Sequence, residues 1–188
     1  MKYFYILFFI SCTAFAQYDF EPSEKFPYGS PNPDAPQQIK DFEPMIGLCN
    51  CKSTTRNQDG TWAEPLDMTW KFRYIMNGMA VQDEVLRSDG SHAGSIRQYS
   101  ADSSRWYVHY YSSRKPNAVL PTWEGNKNEK GDIVLYMKQK APNGTDGFYK
   151  IIFSNMSNEG FDWLGEWVNT DETFIYPTWE IHCKKVEN

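Results

Sequence analysis

The chain has 188 residues, a formal net charge of −5, and an unusual load of rings: seven Trp, twelve Phe and twelve Tyr. An acidic chain without a basic cluster repels phosphate backbones, which argues against nucleic acid as a partner. The length suits one domain with a real core, and no run approaches the about 20 apolar residues of an integral membrane segment.

In chain order, Met1-Lys2 gives a minimal positive start, Tyr3 to Ile10 is an unbroken apolar run, and Ala14-Phe15-Ala16 offers the small-x-small pattern before Gln17. This reads as a signal peptide over residues 1–16, so the protein is expected to be exported, periplasmic or secreted. Loss of Lys2 with that segment takes the charge from −5 to −6. Phe9-Ile10-Ser11-Cys12 loosely resembles a lipobox, which would make Cys12 a lipid-anchored N-terminus. Phe9 is an unusual residue there, and cleavage before Gln17 is the preferred reading.

Residues 17–36 carry Pro22, Pro27, Pro31, Pro33 and Pro36 with Gly29, Ser30 and Asn32 between them, and read as an exposed Pro-rich tail. Asp34 is placed to cap a short helix, with Pro36 in its first turn and Ile39, Phe42 and Met45 on one side. Such a helix would plug one end of the domain that occupies residues 37–188.

From Gly47 onward, short runs alternate apolar and polar residues, which predicts ten strands. They are Leu48–Arg56, Asp67–Met76, Met79–Arg87, Ala93–Tyr99, Arg105–Ser112, Ala118–Gly125, Asp132–Lys140, Gly147–Asn155, Phe161–Val168 and Pro177–Val186. Turn chemistry separates them, above all Asn77-Gly78, where both residues tolerate the positive φ of a two-residue hairpin turn. The fold class is therefore all-β. A ten-stranded up-and-down meander left open would expose two edges, so the expected form is one closed antiparallel barrel, with a two-sheet sandwich as the alternative.

Phe42-x-x-Met45-Ile46-Gly47, the strand ending Tyr74-Ile75-Met76-Asn77-Gly78, and Gln82-Asp83-Glu84 resemble the uncharacterised bacterial lipocalin-like barrels of the calycin group. The likeness runs roughly from Phe42 to Val186, with Cys49 standing where the family's opening carries Trp. It implies a fold and a cavity, and no reaction. A more distant likeness is to nitrobindins, ten-stranded barrels that hold haem through a histidine near the C-terminus, which here would be His182. Strand alternation puts Trp179, Ile181 and Cys183 on one face and His182 on the other. With the apolar face inward, His182 points to solvent and away from any haem.

Cys49, Cys51 and Cys183 remain after export, in the first and last strands, which barrel closure makes neighbours. A seam disulfide is expected in an oxidising compartment, from Cys183 to Cys51 in preference to Cys49, although a two-residue slip in register preserves the facing. The functional alternative is a soft-metal site, copper(I) or zinc, on these three thiolates.

No Gly-x-Ser-x-Gly and no His-x-x-x-His spacing occurs, so no catalytic residue is assigned. His109, in Trp106-Tyr107-Val108-His109-Tyr110-Tyr111, reads as a hydrogen-bonded wall histidine. Asp83 and Glu84 point to opposite faces. Asp162 and Glu166 share a face too far apart for paired acid–base work, and read as solvated. Arg97 shares a face with Tyr99. If inward, it would grip a carboxylate or phosphate head group with its planar fork; if outward, it would be solvated.

The leading expectation is a ligand-binding barrel for a small apolar or amphipathic molecule. Its aromatic wall is formed by Trp70, Phe72, Tyr74, Tyr99, Trp106, Tyr110, Trp163 and Trp167, and Arg97 holds an anionic end. The same rings would otherwise fill a dry core. Two other classes compete: an isomerase- or cyclase-like enzyme using His109, Tyr110 and Arg97, and a glycan- or protein-binding surface using Trp62 and Trp123. Rings around a void favour the carrier, and an outward row favours the surface module.

Overall fold

The computed structural model describes residues 18–186. The signal segment, with the cleavage point and Cys12, lies outside the described residues.

Ten antiparallel strands close into one barrel in the order β1-β10-β9-β8-β7-β6-β5-β4-β3-β2. They are β1 (Gly47–Thr55), β2 (Leu66–Ile75), β3 (Ala80–Arg87), β4 (His92–Ser100), β5 (Arg105–Ser112), β6 (Thr122–Lys127), β7 (Ile133–Lys138), β8 (Gly147–Ser154), β9 (Gly160–Asn169) and β10 (Ile175–Lys185). Side-chain alternation sends one face inward throughout: Met68, Trp70, Phe72 and Tyr74 on β2, and Val81, Asp83 and Val85 on β3. The two-sheet sandwich is not formed. The seam pairs Cys51 with Cys183 directly opposite in β1 and β10, and the two are joined by a disulfide.

A 3₁₀-helix, Gln37–Met45, enters one end and buries Ile39, Phe42 and Met45, the three residues that the sequence places on one side. Its start differs from expectation. Pro36 is the N-cap residue without a side-chain cap bond, and the Asp34 N–H donates to Asn32 Oδ1 instead, so Asp34 is held in a turn. Residues 18–36 are half-exposed but do not form a free spacer. The Tyr28 carbonyl accepts from Tyr74 N–H where β1 has not yet begun, and Asn32 N–H donates to the Gly78 carbonyl. Asn77 accepts from Phe20 N–H through Oδ1 and donates its own N–H to Glu21. Prolines suit this strap because an edge-pairing segment needs only some of its donors.

Several strand ends shift by one or more residues, and three of the shifts have a local cause. The Asn77-Gly78 hairpin has a four-residue turn, Met76–Met79, because Ile75 pairs with Ala80. Met76, Asn77 and Gly78 all have positive φ. A side chain on Gly78 would come within 2.5 Å of Asn32 N and Ser30 O, so the strap itself requires glycine there. β6 begins at Thr122 and not at Ala118, since Pro121 cannot donate to a ladder and Val119 is left 85% exposed. β10 begins two residues early and takes a bulge between Pro177 and Trp179, which accommodates the missing proline donor.

Candidate functional site

The interior is divided along its axis. At the helix end the rings pack solidly. Phe42 meets Trp106 edge-on at 4.8 Å and Phe153 at 6.0 Å. Trp106 donates its Nε1 hydrogen to Asp41, and Tyr99 lies across Trp106 at 5.6 Å. Tyr74 is buried here with its hydroxyl unpartnered, and burial together with the Glu43 carboxylate pushes its phenol well above the ordinary range.

Above this layer lies a cavity of about 190 Å³, lined almost wholly by apolar groups. Trp70, Trp123, Trp163 and Trp179 surround it, with Tyr110 and Tyr149 toward the opposite end of the barrel. Trp163 and Trp179 stack edge-on at 5.2 Å. Trp123 is fixed by its Nε1 bond to the Tyr149 carbonyl. The Tyr149 hydroxyl reaches the bulge residue Thr178 at 3.1 Å, passing close over Gly165, where no side chain fits. Trp70 Nε1 and Arg97 Nε are buried donors without acceptors among the described residues, on two residues that line this space. A vestibule of about 480 Å³ adjoins the cavity and shares Met68, Arg87, Tyr110 and Trp179 with it.

The cavity floor is an ion pair. Arg97 on β4 faces inward and its NH1 donates to Asp83 Oδ2 on β3, with both side chains 2% exposed. The Arg97 guanidinium lies 5.0–5.6 Å from the ring centroids of Phe42, Phe72 and Phe153. Cationic charge against aromatic faces is favourable when desolvated. Glu84, one residue on, faces outward and pairs with Lys71.

The structure therefore sorts the nine expected wall residues. Trp70, Arg97, Tyr110 and Trp163 line the cavity. Phe72, Tyr74, Tyr99 and Trp106 belong to the packed end, where Phe42 meets Trp106, Tyr99 lies on Trp106 and Phe72 packs on Phe161. Trp167 is carried to the rim, where its Nε1 bonds the Gln139 carbonyl and its ring lines an open cleft beside Phe174 and Tyr176. An outward, solvated Arg97 is not observed: the inward-facing Asp83 provides its counter-charge.

Trp123, expected as an exposed turn-flanking ring, faces the cavity from the second residue of β6; Trp62 alone of that pair is exposed, under Arg56. His109 bonds Thr122 Oγ1 at 2.9 Å on the wall and does not line the cavity that holds Tyr110 and Arg97, so the enzyme constellation does not assemble. Glu166 is not solvated. It is buried 3.4 Å from Lys150, which also binds Glu172. His182 is on the outer face with Asp162.

Cys51 and Cys183 being bonded to each other, two of the three thiolates of the soft-metal alternative are consumed. Cys49 stays a free, buried thiol, and burial, slightly opposed by Lys185, pushes it up to about 11. Roughly one such thiol in a thousand is ionised near pH 8. Maleimide labelling of the native protein is expected to be far slower than in urea, and equal rates would mean that the inner face opens readily.

No protein-family model and no curated protein matches the chain. Among solved structures it is similar to Rv2717c from M. tuberculosis, at 7% identity and TM-score 0.51, covering 82% of this chain and 100% of that one. It is also similar to the S-type phycobiliprotein lyase CPES from Guillardia theta, at 10% identity and TM-score 0.49, covering 78% of this chain and 91% of that one. At such identities the likeness is one of fold, a closed calycin-like barrel. Among the described residues no helix is long and apolar enough to cross a membrane.

Proposed function

We propose that the chain is an exported binding barrel, a carrier or sensor of a small and largely apolar molecule. One observation carries the reading: four tryptophans border a void that their edge-on contacts with one another, Trp163 with Trp179 and Trp70 with Trp163, leave unfilled, as a concave apolar ligand site requires. The unpartnered donors on Trp70 and Arg97 support it, because buried polar groups are seldom left unpaired without cause. Export accords with the apolar leader, the small-x-small cleavage pattern and a buried disulfide suited to an oxidising compartment.

Size narrows the guest. A cavity of about 190 Å³ falls below the ~300 Å³ at which drug-sized ligands are enclosed, yet a dry cavity of roughly 150 Å³ accepts benzene. The enclosed portion therefore suits one ring or a short alkyl group, and a haem or retinoid does not fit inside it. Titration with benzyl alcohol and with short-chain amphiphiles is expected to change the tryptophan emission saturably. Dissociation constants should fall between about 10 μM and 1 mM, given the few atoms that make contact. Absence of any saturable change, together with an unmoved thermal midpoint, would sink the carrier reading and leave the void a packing defect.

A further inference from the structure

We propose that the preferred ligand is a single-ring aromatic carboxylate whose ring occupies the cavity and whose anion sits at the mouth on Arg87, not at the floor on Arg97. This rests on the carrier reading above and assigns its ligand class and orientation. Two separate observations carry it.

The first is the state of the floor. The Arg97 guanidinium is already matched by Asp83 within a buried site. A carboxylate brought to it would place two anions together where water is scarce. Such neighbours disfavour each other's ionised forms. The floor's net charge is balanced, although the Arg97 Nε hydrogen has no acceptor among the described residues, and the rings of Phe42, Phe72 and Phe153 close it off. It suits the uncharged end of a guest.

The second is the state of the mouth. Arg87 follows Val81, Asp83 and Val85 on the inward-facing parity of β3, at its last residue. It lines both the cavity and the vestibule. Its guanidinium stands 5.8 Å from the Trp179 ring centroid. Among the described residues its side chain makes no ion pair and no hydrogen bond. The carboxylates around the vestibule are otherwise disposed: Asp89 pairs with Arg114, Asp67 pairs with Lys52, and Glu64 is exposed. A half-buried guanidinium with its planar fork unoccupied matches the two oxygens of a carboxylate. The neighbouring ring wall takes an aromatic body, and a short methylene link joins the two levels.

Hydrocinnamate and its neutral counterpart hydrocinnamyl alcohol share the ring and differ at the head group. Each is titrated by tryptophan fluorescence into the full chain and into Arg87→Met, which keeps the stem and loses the charge. The expected result is a preference of about tenfold for the carboxylate in the native protein, shrinking as salt rises to about 0.5 M. In Arg87→Met that preference disappears while the affinity for the alcohol stays within about twofold. Alcohol binding as tightly as carboxylate in the native protein, or a preference that survives Arg87→Met, overturns the assignment and leaves the carrier reading standing. Saturation by neither compound overturns both. Should Arg87→Met fail to fold, the salt dependence of the native preference decides: a salt-independent preference overturns the proposal.

Discussion

Asp83→Asn is expected to destabilise the barrel by about 3–5 kcal/mol, the range for leaving one member of a buried ion pair without its partner. The substitution barely changes volume, so the loss reports charge and not a void. Arg97 would remain cationic among Phe42, Phe72 and Phe153, with both original side chains 2% exposed and, among the described residues, no other carboxylate bonded to it. Contacts with aromatic faces recover only about 1–2 kcal/mol of such a cost. Removing both charges is a different matter. Asp83→Leu with Arg97→Met replaces the pair by apolar groups of similar reach, and such replacements are neutral or stabilising by up to ~4 kcal/mol elsewhere. The cycle of two single variants and the double variant, read as urea midpoints at constant m, therefore should show strong coupling. A loss below about 1 kcal/mol in Asp83→Asn would show that water reaches the pair. The cavity floor would then be wet, and the argument that it rejects a second anion would fail.

The wall of this barrel was legible because its cause is local. Alternation such as Met68, Trp70, Phe72 and Tyr74 needs only one strand to be read, and Gly and Asn mark where strands stop. Pairing across strands was less accessible. Asp83 lies on the same parity as Val81 and Val85, yet its role depends on β3 meeting β4 with Val81 opposite Arg97, and register is not a property of either segment alone. Depth along the axis was not legible at all. Trp70 and Trp106 carry the same inward signature, and only the point where Phe42 stops determines that one lines a void while the other is packed. Trp123 was missed because it lies beside the Pro121 turn at the start of β6, a place where a ring is expected to be exposed, while its inward face is set by pairing with β5. Trp179 and Tyr149 had the right parity but no partner in sequence to mark them. The bulge at Thr178 and the bare Gly165 that admit Tyr149 are contacts between strands.

The seam lends itself to the other large effect. Cys51→Ala with Cys183→Ala is expected to lower stability by about 3–5 kcal/mol, since the bridge spans 132 residues and the chain-entropy model gives about 4.7 kcal/mol for a loop of about 100. The m-value should rise as well, because an unfolded chain freed of that constraint exposes more surface. Both cysteines are nearly buried, at 3% and 6% exposure, so in the native protein reductant acts only through opening of the seam. Reduction by dithiothreitol is expected to track urea concentration in the unfolding zone. The single variant Cys51→Ala tests register independently. Cys49 is opposite Lys185, which places it diagonal to Cys183, and diagonal Cα atoms in a ladder lie about 7–8 Å apart. A bridge needs them within about 7 Å. With residues 1–16 removed, which leaves Cys49 and Cys183 as the remaining cysteines, Cys51→Ala is therefore expected to show two free thiols after unfolding without reductant. A count of zero would mean that β1 had slipped two residues along β10 to bring Cys49 opposite Cys183. Such a slip keeps every side chain on its own face, and what opposes it is the set of contacts specific to this register, among them the Trp179 Nε1 bond to Ser53 Oγ and the Arg56 bond to the Pro177 carbonyl. Two thiols would show that those contacts, and not the disulfide, determine how the barrel closes.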